Sequence, residues 1–579
     1  MNSRRITNFK VVLAAIGLWL IFTLQGTNVD NVYVLFYLPL LFVAYIALKS
    51  PLSNEKLLNK YVSYIFAFLL SAVTVWKIAI DSEITVGWVF AVKAVLCILG
   101  LTFLFEKLFQ LIIQFSLNHT LTGKSIGISW KASFGLILLG WLIYLIPFLP
   151  GNIAGDANFQ LSQFFGDAPM TNHHPYFSTL FEGGLFRIGR SLVNDNFGLF
   201  LYVLIQLLLC ALIYSFCISK VSKLGAGMSK KIAVIFSLFI GFTPYWSFAS
   251  ETLHKDGMFL AFFALYVTLL LLTVNRLFIT KTEQPSAKEF VGLAFAGLLV
   301  CFWRNDGIYM VVPALICLIF VEKRKYWKQF LMTLAAVLLI YVGFNKVVLP
   351  ALHVAPTEKR EALSLPVQQT ARYMKYYPHD ITKSERQVLA QTFIKPSEIG
   401  KVYNPNISDP VKFSLKGHVN TKAYLKIWFA MGLRHPLVYF NATFAGTDEY
   451  YVPWEKAPNF SWAGDMSSWS RPKFLHTHYY VPAQIRLNFT KLVNKISDFP
   501  LINILFSFSM AFWLCLLMVA YLWREYGFKY VVPYIPIFMN LLVCIASPVN
   551  GMTRYAGCVV FSTFILIGYY FFVIMNKKG

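Results

Sequence analysis

Apolar runs long enough to cross a lipid bilayer recur along almost the whole of this 579-residue chain, and no other feature limits its fold as severely. In hydrocarbon every backbone N–H and C=O must find its partner inside the protein, which selects helices for spans of this length. The length rule predicts roughly fourteen spans. They fall at 9–24, 32–48, 61–80, 86–105, 132–149, 197–218, 232–250, 257–274, 290–303, 307–321, 328–349, 501–522, 530–546 and 556–575. A soluble protein that is 57% hydrophobic and 13% charged could not hide so much apolar surface. The expected fold is therefore an all-α polytopic membrane protein.

The net charge of +24 suits nucleic acid in principle, but its placement argues otherwise. Lys and Arg gather in short clusters at span ends, such as Arg4-Arg5 and Glu322-Lys323-Arg324-Lys325. With the basic N-terminus inside, each expected inner loop carries Lys or Arg, as the positive-inside rule requires. The charge then reports topology and attraction to anionic headgroups, and no nucleic-acid partner is expected. All eight cysteines lie in expected spans without CxxC or Cys/His spacing, so neither disulfides nor a zinc site are expected. Residues 11–24, after a basic start, lack a clear small-residue cleavage site and read as a first anchor. Lys77 and Lys93 lie inside spans and read as snorkelling or facing the bundle.

This topology collects polar groups on one face. The loop that opens Gly155-Asp156-Ala157-Asn158-Phe159-Gln160 and runs to Asn172-His173-His174-Pro175 lies outside. So do Glu251 to Asp256, Arg304-Asn305-Asp306, residues 350–500 and the loop Ser547 to Tyr555. Charged groups kept at the mouth of a membrane bundle mark function. The chain divides into four N-terminal spans (1–131), a seven-span block (132–349) with its first outer loop at 150–196, an outer domain (350–500) and three final spans (501–579). The outer domain has candidate amphipathic helices at 384–394 and 420–434, each with an N-cap residue, and an aromatic, Gly-rich loop at 446–469 with Asp448, Glu449 and Asp465. The sequons at Asn406, Asn441, Asn459 and Asn488 are short patterns expected by chance.

An Asp shortly after a span, then a His-Pro element leading into the next, resembles the first outer loop of GT-C superfamily glycosyltransferases. Protein O-mannosyltransferases and lipid-A aminoarabinose transferases belong there. In the former an acidic pair precedes His-Pro-Pro; here Ala157 follows Asp156, and His173-His174-Pro175-Tyr176 stands for the second element. The seven-span block followed by a large outer domain resembles the superfamily layout. Phrases such as Leu363 to Gln369 and Tyr403 to Pro410 resemble a little-characterised group of bacterial multispan proteins.

The resemblance implies a sugar taken from a polyprenyl-phosphate carrier and passed to an outer acceptor, which is a glycan, lipid or protein. The leaving phosphate is already stable as an anion, so the chemistry needs one carboxylate base and cations for the phosphate. A single displacement of this kind inverts the anomeric centre. Asp156 is the candidate base, against the alternative of a helix N-cap. Lys255, Arg304 and Arg554 are candidates for the phosphate; local ion pairs, Lys255 with Asp256 and Arg304 with Asp306, are the competing reading. His173 and His174 are candidates for acceptor or phosphate contacts, against a capped turn before Pro175. Gln160 and Gln163, four and seven residues after Asp156, share its helix face and are candidates for sugar hydroxyls. Asp156 with either histidine offers metal ligands, but no spacing demands a metal and no cofactor is expected. The rival classes are a transporter or flippase of a lipid-linked saccharide, a polymerase using a pyrophosphate-linked chain, and a structural scaffold. The expected location is the plasma membrane, with the site on the extracytoplasmic face.

Overall fold

The computed structural model describes residues 3–24, 31–52, 58–81, 87–118, 127–224, 228–280, 286–453, 466–497, 500–547 and 549–578. Most of the outer loops expected at 25–31 and 81–85, together with Asn459 and Asp465, lie outside these. The protein is a nearly all-helical, multi-pass membrane protein. Among the described residues nine helices are long and apolar enough to cross a bilayer: Lys60–Ile80, Trp88–Asn118, Trp130–Phe148, Asp195–Ser222, Lys255–Thr280, Trp327–Ala351, Phe508–Tyr526, Phe528–Ala546 and Thr553–Lys577. A tenth counts if the bent pair Lys230–Phe242 and Pro244–Glu251 is one span.

That pair departs from the straight span expected at 232–250. It breaks by 54° because Pro244 has no N–H to donate and sits at the first position of the second helix. The spans expected at 290–303 and 307–321 form helices of 17 and 14 residues, Ala287–Trp303 and Gly307–Phe320, the first at the lower end of the length that crosses a bilayer and the second below it.

The chain forms two compact units. The first comprises Met1–Thr120, Ala362–Glu455 and Ile545–Gly551. Its helices Ser3–Leu24 and Trp88–Asn118 approach closely at Gly17 and Gly100, where a Cβ on Gly100 would stand 2.1 Å from the Leu13 carbonyl oxygen. Small residues allow such contact between helices in lipid. The 362–455 segment packs helices around Val367, Ala371, Tyr373, Leu389, Phe393, Tyr424 and Met431. Its expected amphipathic helices form as Lys383–Thr392, held by a capping box between Thr382 and Glu385, and Thr421–Arg434, capped by Asn420. Lys77 is not snorkelling: its ammonium meets buried Asp448 at 2.8 Å, while the neighbouring Trp76 indole donates to Asn441 Oδ1 at 3.0 Å.

The second unit comprises Leu121–Glu361, Lys456–Cys544 and Met552–Gly579. Lys255–Thr280 is its most enclosed span and packs against the helices Asp195–Ser222, Ala287–Trp303 and Thr553–Lys578. Charged residues at the starts of such enclosed helices must be paired, because an isolated buried charge is strongly destabilising.

Candidate functional site

Two short strands position the site. Asn152–Ile153 and Thr252–Leu253 pair in parallel, Asn152 beside Thr252 and Ile153 beside Leu253. Each turns almost at once into a helix, Gly155–Phe165 and Lys255–Val274. The register therefore brings the two helix starts side by side, close enough for Lys255 to reach Asp156 from one to the other. Gln206 fixes the second strand, its Nε2 donating to the Ser250 and Thr252 carbonyls at 2.9 and 2.7 Å. The Tyr479 hydroxyl fixes the first by donating to Asn152 Oδ1 at 2.7 Å.

Asp156 lies in the first turn of its helix, where a carboxylate complements the helix dipole. It does not cap that helix: Ala154 holds the N-cap position without a side-chain bond. Its Oδ2 instead accepts from Lys255 Nζ at 3.1 Å and Arg554 Nη1 at 2.6 Å. Lys255 thus pairs with Asp156, 99 residues away, rather than with its neighbour Asp256.

Sequence reasoning passed over His254 as a site residue, although it stands next to Lys255. It caps the Lys255–Val274 helix. Its Nδ1 faces the Asp256 N–H at 3.0 Å and Asp256 Oδ2 at 3.1 Å. Its Nε2 faces Arg554 Nη1 at 3.2 Å and Asp156 Oδ2 at 3.6 Å. Each ring nitrogen meets one N–H donor and one carboxylate, so moving the ring proton exchanges which carboxylate it serves.

Arg304 does not reach Asp156. It grips Asp306 with two bonds, 3.1 Å from Nε and 2.7 Å from Nη2, and donates to the Arg554 carbonyl at 3.4 Å. Its guanidinium carbon lies 4.5 Å from the Tyr555 ring centre and 5.0 Å from that of Phe259. The local pairing considered for Arg304 is thus present, and its contacts brace the start of the helix carrying Arg554.

Of the two histidines, His174 is buried and joins the site while His173 is exposed and meets it edge-on, ring centres 4.7 Å apart. His174 Nδ1 lies 3.2 Å from Lys255 Nζ. An ammonium only donates, so Nδ1 accepts and the ring is neutral. Gln160 and Gln163 share a helix with Asp156 but turn elsewhere. Gln160 donates to Ser178 and Thr179 of the Tyr176–Leu192 helix, and Gln163 to the Pro169 carbonyl and the Thr171 hydroxyl. Both tie the outer loop together. Among the described residues no group of three His, Cys, Asp or Glu side chains is arranged to hold a metal.

The profile of a family of unknown function, DUF6020, matches residues 166–574. The chain belongs to this family. No curated protein and no solved structure matches it. The region shared with DUF6020 contains His174, Glu182, the run His254-Lys255-Asp256, Arg304 and Arg554; Asp156, Gln160 and Gln163 precede it.

The electrostatics follow from burial and this charge set. Three carboxylates, Asp156, Asp256 and Asp306, stand against three cations, Lys255, Arg304 and Arg554, so the cluster is neutral as it stands. Burial alone would raise the Asp156 carboxyl; Lys255, Arg554 and the bond from His254 outweigh it and hold the group well below the usual carboxylate range. Burial, reinforced by the Lys255 ammonium, keeps His174 well below the ordinary imidazole range and His254 below it too. A further acid escaped sequence reasoning. Glu182, in the Tyr176–Leu192 helix, is 1% exposed, and neither carboxyl oxygen has a hydrogen-bond partner among the described residues. Burial, opposed by Lys255 and helped by Asp256 and Asp156, pushes it up to about 8. It carries a proton at neutral pH. The only hint of it in the sequence is an acid on the apolar helix pattern after Pro175.

Proposed function

We propose that this chain is a GT-C-type integral-membrane glycosyltransferase that moves a sugar from a polyprenyl-phosphate carrier to an extracytoplasmic glycan, lipid or protein acceptor. One observation carries the reading: a single carboxylate, Asp156, shared by two cations that begin two enclosed helices. A phosphate-leaving transfer asks for one base and a cationic grip on the departing anion. In this reading the carrier phosphate takes Lys255 and Arg554, and Arg304 holds Arg554 in position. As the phosphate draws the cations away, the carboxyl regains the proton affinity they suppress. Asp156 then takes the acceptor hydroxyl's proton while that oxygen attacks the anomeric carbon. The bond from that carbon to the phosphate oxygen breaks, polyprenyl phosphate leaves and the configuration inverts. No cofactor takes part. The fourteen-span topology, with the seven-span block at 132–349 and the site at the outer face of the plasma membrane, belongs to this proposal.

A transporter or flippase of a lipid-linked saccharide is the second reading, favoured by the 54° break between Phe242 and Pro244. Broken helices line substrate sites in transporters. One experiment separates the two. Membranes expressing the wild type or Asp156→Asn at matched levels receive labelled polyprenyl-phosphate sugars. Transfer releases free polyprenyl phosphate in the wild type and not in the variant. Donor binding without release, dependent on Lys255 and Arg554, would replace the transferase with the transporter; full activity of a folded Asp156→Asn protein would remove the base assignment.

A further inference from the structure

The helix Ala483–Ser497, within the second unit, turns three different faces outward from its axis. At about 100° per residue, Arg486, Phe489 and Val493 share one face and dock it on the protein. Phe489 packs on Tyr144 and Phe148 with ring centres 5.8 and 6.1 Å apart. The Arg486 guanidinium carbon lies 3.8 Å from the Tyr479 ring centre, and Val493 is buried. About a quarter turn away, Ile485, Leu492 and Ile496 form an exposed apolar stripe. On the flank away from the protein, Asn488, Lys491 and Lys495 are exposed. Leu487, also exposed, is the one large apolar residue outside the first two faces. The helix contains no acid.

Its docking place matters. The Tyr144 hydroxyl donates to the Phe242 carbonyl, at the end of the exposed apolar row Ile235, Leu238 and Phe242 on the helix Lys230–Phe242. Such a row is what a helix of a membrane bundle turns toward acyl chains. Phe148 in turn ends the span Trp130–Phe148 on the side from which the chain runs on to Asp156. The docked helix therefore stands where the lipid-facing surface stops, at the Asp156 end of the bundle.

We infer that Ala483–Ser497 lies along the bilayer surface on the Asp156 side, with Ile485, Leu492 and Ile496 among acyl chains and Lys491 and Lys495 at the lipid phosphates. A helix surrounded by water would gain nothing from an uncovered stripe, and a crossing helix would carry its lysines into hydrocarbon. A helix in the interface plane has protein on one flank, acyl chains beneath and headgroups on the other flank, which is the order of the three faces. The two lysines meet no acid on their own helix, and their long stems let the ammonium groups reach phosphate while the stripe stays in the apolar layer. This seat bears on the site. Arg486 stacks on Tyr479, whose hydroxyl holds Asn152, and the Tyr480 N–H donates to the Leu149 carbonyl at 3.0 Å. The bilayer surface thus sets the depth of the strand that leads to Asp156.

The test uses the full chain in nanodiscs of phosphatidylcholine and phosphatidylglycerol. Six single variants, Ile485→Cys, Leu492→Cys, Ile496→Cys, Asn488→Cys, Lys491→Cys and Lys495→Cys, each carry a nitroxide, and the unsubstituted chain labelled in parallel supplies the background of the native cysteines. Relaxation by oxygen, which concentrates among acyl chains, is compared with relaxation by a water-soluble nickel chelate. Labels at 485, 492 and 496 respond to oxygen over nickel and read depths of about 5–10 Å into the boundary between headgroups and acyl chains. At 488, 491 and 495 the preference reverses. None of the six side chains belongs to the docked face, so the melting temperature stays put. Nickel preference at all six positions overturns the inference, since water then covers the stripe. So does shielding of 485, 492 and 496 from both reagents, which would mean that a second copy or another segment of the chain covers them. The readout needs no donor, acceptor or turnover, so it stands or falls apart from the transferase reading.

Discussion

Replacing Glu182 by Gln tests the electrostatic account of the buried cluster most directly. In the unfolded chain the carboxyl titrates at its ordinary 4.5, and in the folded one at about 8. Between those values the folded protein keeps a proton that the unfolded protein has released. Stability therefore falls as pH rises through this window, with nothing lost below 4.5 and the full penalty present above about 8. At about 1.4 kcal/mol per pH unit the whole shift corresponds to roughly 5 kcal/mol. The residue is 1% exposed, so solvent screening removes little of it. Gln has nearly the same shape, carries no charge at any pH, and breaks no existing bond because neither carboxyl oxygen has one among the described residues. Wild type and Glu182→Gln are compared by chemical denaturation in the same detergent at each half unit from pH 4.5 to 8.5. The difference between them cancels every other titrating group to first order. It should be small at pH 4.5, grow in favour of the variant with each step, and level off near pH 8. A difference that stays flat, or a variant less stable than wild type at pH 8, would refute the placement of a protonated acid beside Lys255 and Asp256.

Breaking the pair between Lys77 and Asp448 takes an ammonium 2.8 Å away from a carboxylate that is 1% exposed. Lys77→Met is expected to lower stability by about 3–5 kcal/mol in denaturant titration, and adding Asp448→Asn should recover much of the loss. On the transferase reading Asp156 must be ionised to act, and its carboxyl is held well below 3.8 in the free protein. The kcat/KM profile should therefore stay flat on the acid side down to about pH 4. Lys255→Met removes one of the cations that lower the group, so the acid limb should move up in pH along with a fall in rate; an unmoved limb would detach Lys255 from Asp156.

Local order was legible where local rules produce it. The apolar runs mark the enclosed spans, and Thr382 with Glu385 and Asn420 announce two helix starts in the 362–455 segment. Pro244 carried the signal for the bend after Phe242, yet the run 232–250 is apolar enough to read straight through. The two-residue strands at 152–153 and 252–253 are shorter than any alternating pattern that sequence can display, and they decide the site because they set which helix starts stand together.

Partner choice is the part that spacing could not supply. Lys255 beside Asp256 and Arg304 near Asp306 look equivalent in sequence, each a cation with an acid within two residues. The structure separates them: Arg304 grips Asp306, while Lys255 reaches Asp156. The difference is geometric. Lys255 and Asp256 are successive residues of one helix, and successive side chains diverge by about 100°. Arg304 instead lies in extended backbone just after its helix, from which the guanidinium can fold back onto Asp306. The same reasoning explains Gln160 and Gln163. Helical spacing correctly put them on one helix with Asp156, but period alone says nothing about what a face meets. Here the amides meet Ser178, Thr179 and the turn at 169–171, so they hold the loop that carries the carboxylate rather than the ligand it serves.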